Sequence, residues 1–349
     1  DLLSKQQTRQ ASSRKPKCGG YFFAQISRSA GLGRREGRAG MRFTKPALSF
    51  PDQADHLIGR GLQADRDTLI RRLEQVNYYR LSAYWYSFRE PGSENFRAGT
   101  DFEVVWDHYV FDRQLRVVVI DAIERVEVAV KTHLANELAL KHGAFAHLNR
   151  ANLPGLSHYQ HRKLMDKIQK EEDRSQEPFV KHFHSKYTSE TNLPLWVAIE
   201  VMDFGTMLTL FRGADQYTKR VVAARYGVTA KVLESWLVSL NYVRNGCAHH
   251  ARLWNRVLSV RPLIPNQGNV PVFHSPSAPS PDRVYAVLTI LKYLLNHIAP
   301  QSGWADRLEA LWTVKHPTIP ISRMGFPTDW KACPIWAAGG NAAGGGTTT

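Results

Sequence analysis

From Phe102 to Leu140 the chain runs 39 residues without a proline or a glycine. Within that run Ile120, Ile123, Glu127, Lys131 and Leu134 recur at spacings of three and four, the period of one helix face. The pattern predicts one long helix, or two nearly collinear ones, ended by Gly143. A helix of this length is a rod of about 58 Å, and its apolar face has to be covered by other helices or by a sheet. The rest of the chain supplies helices. Asp52 is the N-cap candidate of a first one that includes Leu57 and Ile58, and Asp65–Val76 reads as a second. Further amphipathic stretches are expected at 158–177, closed by Pro178, at 195–211, stopped by Gly213, and at 232–257. Val284, Val287, Leu288, Leu291, Leu295 and Ile298 define another, and Trp304–Trp312 a shorter one. Convincing alternation of period two is scarce and no repeat is present, so the expected class is all-α.

Charge divides the chain further. Lys and Arg number 46 against 31 Asp and Glu, a net of +15. Residues 1–40 hold +7 of it in a Ser-, Gly- and Gln-rich stretch too poor in apolar residues to order itself, leaving +8 for 41–349. Met41 is read as the natural start and 1–40 as a disordered basic leader; a basic arm that grips nucleic acid is the other reading. The expected organisation continues with an N-terminal helical segment (41–101), core helices (102–260), a Pro-rich connector (261–281), C-terminal helices (282–336) and a disordered Gly/Ala/Thr tail (337–349). No stretch reaches the ~18–20 apolar residues of a membrane span. Cys18, Cys247 and Cys333 are too few and too scattered for a disulfide framework. A reducing cytoplasm and no membrane partner are the expectation.

The stretch Asn241–Arg256 concentrates the groups that could do chemistry. If the helix continues to 257, Asn245, His249, Arg252 and Arg256 form one polar stripe, while Arg244 prolongs the apolar stripe of Leu233, Leu237 and Leu240. A guanidinium on such a face needs a carboxylate, a carbonyl or a phosphate. Glu124, Glu200 or neither would neutralise it. Arg244 and His249 stand about 140° apart around one helix, so a two-fold axis along it would bring two copies of each to one site. A histidine can take the proton of a ribose 2′-hydroxyl or give one to a leaving 5′-oxygen, an arginine can neutralise the charge that builds on the phosphate, and Asn245 could fix the imidazole tautomer. Such a set cleaves RNA without a metal. A helix end whose polar residues only cap and solvate is the plainer alternative.

Arg244-Asn245-Gly246-Cys247-Ala248-His249 matches the Arg-Asn-x3-His signature of HEPN ribonucleases, the Arg-x4-His group. Extended through His250, Arg252, Leu253, Trp254, Asn255 and Arg256, it resembles the Abi family of bacterial abortive-infection proteins, the AbiD/AbiF-like group. Other stretches resemble that family in order: Asn77-Tyr78-Tyr79-Arg80-Leu81-Ser82 with Tyr84-Trp85, Asp112-Arg113 with Leu115-Arg116, and Ile123–Glu127. Pro194-Leu195-Trp196, Glu200, Phe204-Gly205 and Met324-Gly325-Phe326-Pro327 complete the series. The resemblance spans roughly 41–336. It implies a HEPN-like helical bundle with additional N- and C-terminal helices, a homodimer whose motifs meet at the two-fold, and a phage-defence role. It also implies metal-independent RNA cleavage, with Arg244 and His249 catalytic and Asn245 supporting them. His250, Arg252, Asn255 and Arg256 would contact RNA, either a structured non-coding RNA or tRNA. Relatives are similar to the nuclease halves of RNA-guided CRISPR effectors. A non-catalytic dimer that grips a structured RNA is the alternative function.

Competing sites are weaker. His182-Phe183-His184, with His158 and His161 upstream, lacks the Cys pair or His-Glu-x-x-His of a zinc site, so neither metal nor cofactor is expected. The aromatic run 77–86 reads as core packing ahead of base stacking, and Cys247 as packing beneath the motif.

Overall fold

The computed structural model describes residues 46–337. Its axis is α4 (Phe102–His142), a single helix of 41 residues. The Asp101 side chain caps its start by accepting from the Glu103 N–H at 2.8 Å, and Gly143, at φ 85°, ends it. Phe111, Leu115, Val119, Ile123, Val126, Val130, Leu134 and Leu138 form its buried stripe, as the period requires. The remaining helices are α1 (Phe50–Gly59), α2 (Arg66–Gln75), α3 (Tyr78–Trp85), α5 (His158–Arg174), α6 (Pro178–Lys186), α7 (Leu195–Val201), α8 (Phe204–Gly213), α9 (Gln216–Ala224), α10 (Ala230–Ala248), α11 (Val284–Ile298) and α12 (Trp304–Ala310). Among the described residues there are twelve α-helices and no β-strand, only isolated bridges, and the all-α expectation holds. The 1–40 leader, and all but Ala337 of the expected tail, lie outside the described residues.

Two apolar clusters form. The smaller gathers α1, α2, α3 and the first turns of α4 around Leu57, Leu69, Leu73, Tyr84, Trp85 and Phe102. The larger packs α5–α12 on the rest of α4, with Trp236, Phe211, Phe273 and Trp304 among its largest side chains. α11 is buried along most of its length, which is why its sequence is so uniformly apolar.

Several boundaries differ from expectation, each for a local reason. Ser49 rather than Asp52 caps α1; Asp52 lies in its first turn. Pro178 opens α6 instead of only closing the preceding stretch, because a proline in the first turn forfeits no helical hydrogen bond. The stretch 195–211 is two helices. Asp203 caps α8 by accepting from the Thr206 N–H at 2.7 Å, and the Lys131 ammonium of α4 donates to the Met202 carbonyl at 2.6 Å. Both interactions compete with helix continuation at that point. The connector 261–281 contains no α-helix, in keeping with its prolines. α9 was not expected; its signal, Asp215 as N-cap accepting from the Tyr217 and Thr218 N–H groups, is short. The long α10 is corrected below.

Two predictions arise from the packing. The Gly155 N–H donates to the Gly213 carbonyl at 2.9 Å, and a Cβ on Gly155 would fall 2.3 Å from the Arg212 carbonyl oxygen. Gly155→Ala is expected to destabilise the protein by about 3 kcal/mol, read by urea denaturation, because the clash is with backbone. Burial also pushes the His147 imidazole down to about 4. Between that value and the ordinary histidine range the unfolded chain binds more protons than the folded one. Stability is therefore expected to fall by up to about 3 kcal/mol as pH drops from 6.5 to 4. A His147→Gln variant titrated in parallel should lose less stability over the same interval.

Candidate functional site

α10 stops at Ala248, where the helical period alone would carry it to 257. The stop is a chain reversal made by hydrogen bonds. The His250 N–H donates to the Cys247 carbonyl at 3.0 Å and the Ala251 N–H to the Gly246 carbonyl at 2.8 Å, with His250 at φ 57°. This is the pairing of a Schellman terminus, with histidine where glycine is usual. The expected stripe of Asn245, His249, Arg252 and Arg256 on one helix therefore does not exist. Asn245 lies on the last turn of α10 and His249 is its C-cap, while Arg252, Asn255 and Arg256 belong to the loop beyond.

What makes the loop preferable to more helix is a buried carboxylate. Asp112 of α4 is fully buried, and its Oδ1 accepts from the Leu253 N–H at 3.0 Å and the Trp254 N–H at 2.5 Å. Its Oδ2 accepts from the Tyr84 hydroxyl of α3 at 2.6 Å and from the Arg116 guanidinium one turn along α4. Burial pushes the Asp112 carboxyl up from its ordinary value, and Arg116 is the strongest influence holding it down. Arginines take up the carbonyls that helix formation would have used. Arg80 donates to the His250 oxygen at 2.5 Å and Arg116 to that of Ala251 at 3.4 Å, while Arg252 ties the loop to α3 by donating to the Ala83 oxygen. Leu253 and Trp254 are buried. Elements far apart in sequence, α3, the first half of α4 and the loop after α10, are thus tied at one junction.

Arg244, Asn245 and His249 lie on the outer side of this junction. Asn245, His249 and His250 are exposed, and Arg244 is half-buried. No carboxylate pairs with Arg244 among the described residues. Glu124 and Glu200 are exposed and neutralise nothing at the motif. Among the described residues the one side-chain partner of Arg244 is the Asn245 amide oxygen, at 3.4 Å. That amide therefore faces the arginine and makes no hydrogen bond to the His249 ring. Asn255, at φ 52°, accepts from Arg283 at 3.3 Å. Arg256 lies 5.1 Å from the centroid of the Tyr242 ring and donates to its hydroxyl at 2.6 Å. The guanidinium groups of Arg252 and Arg256 thus fasten the loop. Cys247 is buried beneath, its thiol pushed up to about 12 by burial and by the nearby Asp112, which suits a packing residue and not a nucleophile.

Elsewhere the expected constellations separate. Glu127 and Lys131 form a mostly buried pair at 2.9 Å, while Arg125 meets Asp121 at 3.3 Å nearer the surface. His184 pairs with the buried Glu172 at 2.9 Å. In the aromatic run Tyr84 and Trp85 are core, whereas Tyr79 and Tyr86 are 71% and 65% exposed. No described helix is long and apolar enough to cross a membrane.

Fold and site together define an all-α protein in which a buried Asp–Arg–Tyr junction presents an exposed Arg-Asn-x3-His helix terminus. A family profile described as Abi-like protein matches residues 71–255, just over half the chain. The chain belongs to the Abi-like family, and with it to the abortive-infection proteins. No curated protein and no solved structure matches it. The match begins at α2 and ends at Asn255, so it encloses every member of the junction.

Proposed function

We propose that the protein is a phage-defence endoribonuclease that cleaves RNA without a metal, and that Arg244 and His249 carry the reaction. The observation that supports this most is the condition of Arg244. It is a half-buried guanidinium with no carboxylate partner among the described residues, a few residues from an exposed histidine on a terminus held rigidly from behind. A phosphodiester meets both needs at once. His249 takes the proton from the ribose 2′-hydroxyl as its oxygen attacks phosphorus and the bond to the 5′-oxygen breaks, while Arg244 neutralises the charge gathering on the phosphoryl oxygens. The leaving 5′-oxygen takes a proton from the protonated His249 of the second motif in a dimer, and solvent resets both rings. Asn245 holds the guanidinium in place. His250 and the loop of Arg252, Asn255 and Arg256 border the RNA while maintaining the shape of the terminus. Each exposed motif covers only one side of a substrate. A homodimer that sets two motifs face to face would supply the other and exclude water. Purified protein incubated with labelled tRNA and total RNA, with and without EDTA, tests the proposal. Fragments are expected in both conditions and are expected to be absent with His249→Ala; identical RNA patterns from the two proteins would refute it.

The open surface of the motif favours a second reading, in which the dimer grips a structured RNA without cutting it. RNA that co-purifies intact and stays intact at every protein concentration is the outcome that selects this reading.

A further inference from the structure

With Arg252 and Arg256 engaged inside the loop, a second group of cations lies on another part of α10. Two adjoining clefts open on the half of α10 away from the motif. One, of about 440 Å³, lies between the end of α8, α9, the start of α10 and residues 261–263. The other, of about 630 Å³, lies between α5 and α8. They share Arg212, Lys219 and Glu234. Lys231 and Arg261 complete the basic lining of the first, and Lys163 and Lys167 that of the second. Six cations thus face one carboxylate.

The pairing inside the clefts leaves much of this charge unanswered. Glu234 accepts from Arg212 at 3.0 Å and stands 3.9 Å from Lys219, while Lys167 is paired with Asp203 at 2.8 Å. Lys163, Lys231 and Arg261 are exposed and have no ion-pair partner among the described residues. Lys219 is the telling residue. It is only 8% exposed, lines both clefts, and has no hydrogen-bond acceptor in reach among the described residues. Its ammonium shares the Glu234 carboxylate, 3.9 Å away, with Arg212, and a phosphate oxygen entering the groove would give it the hydrogen-bond acceptor that Glu234 is too distant to be. The first turn of α10 also borders the first cleft, and a helix start adds partial positive charge there.

We propose that this double cleft is an RNA-backbone site, which holds successive phosphates of the strand whose scissile bond reaches Arg244 and His249. This rests on the RNA reading above. Glu234 and His249 are separated by about 22 Å along α10, so the cleft captures RNA at a distance from the chemistry. Its loss therefore weakens binding and raises KM, with kcat retained. The lining supplies cations, hydroxyls and amides, with the exposed Tyr159 ring beneath Lys163 as its aromatic neighbour, so recognition rests chiefly on phosphates.

The test is fluorescence anisotropy of a fluorescein-labelled tRNA transcript with the full chain across a salt series. The variants are wild type, Lys163→Glu/Lys231→Glu/Arg261→Glu, Lys219→Gln, and a control, Arg71→Glu/Lys186→Glu/Lys315→Glu, which reverses exposed cations outside the clefts. The cleft triple variant is expected to bind at least about tenfold more weakly, with the slope of log affinity against log salt reduced by about 2–3. Lys219→Gln should weaken binding severalfold at an unchanged circular dichroism spectrum, and the control should bind like wild type. Wild-type affinity in the cleft triple variant, or equal weakening in the control, overturns the proposal. Absence of RNA binding by wild type overturns it together with the RNA reading. Binding that depends on the cleft but is never followed by cleavage upholds the cleft and refutes the nuclease.

Discussion

Asp112→Ala is expected to remove about 4 kcal/mol of stability, a large share of what a folded domain possesses. The change strands the Arg116 guanidinium without its carboxylate and leaves the Tyr84 hydroxyl and the Leu253 and Trp254 N–H groups with no acceptor. Unpaired buried groups are costlier than the net value of the bonds they had made. Urea denaturation at neutral pH reads the loss. Asp112→Leu/Arg116→Met should recover part of it, since the stranded charge is gone, but not all, because the two backbone donors remain unmet. A loss below about 1 kcal/mol in Asp112→Ala would show that the junction does not hold the loop.

His249→Ala should lower the rate of RNA cleavage by about 10²–10⁴, the range for removal of a positioned proton-transfer group. Arg244→Ala should cost about 10²–10³, as loss of a group that stabilises developing charge does. Arg244→Lys should rescue it only in part, because an ammonium lacks the planar fork. Both residues lie at the surface end of α10, so these variants should unfold at the same urea concentration as wild type. That separates them from Asp112→Ala, where activity and stability should fall together.

These contrasts also mark what the sequence could disclose. α4 was legible because 39 residues without a breaker leave no other regular structure, and its end at Gly143 followed from the glycine itself. The end of α10 was not legible. No proline or glycine follows Gly246 until Pro262, and the period remains compatible with helix. The stop is imposed by Asp112, some 140 positions away in the chain, through the N–H groups of Leu253 and Trp254. A signal for it did exist in Asp112 and Arg116, a charged pair one turn apart on the buried stripe of Phe111, Leu115 and Val119. Such a pair has to serve something, although spacing alone does not say what. Residue type alone marks Arg244, Asn245 and His249 as candidates, but it names the wrong partners for Arg244, because Glu124 and Glu200 face solvent. The cations of the double cleft are scattered from 163 to 261 and only packing gathers them.

The chemistry of the cut ends tests the central claim most directly. Wild-type protein, in EDTA, is incubated with labelled RNA and the new 3′ termini are identified by mass. Attack by the 2′-hydroxyl under His249 and Arg244 predicts 2′,3′-cyclic phosphate ends, formed at the same rate without metal and lost in His249→Ala. Fragments bearing 3′-hydroxyl ends, cleavage abolished by the chelator, or undiminished cleavage by His249→Ala would contradict it.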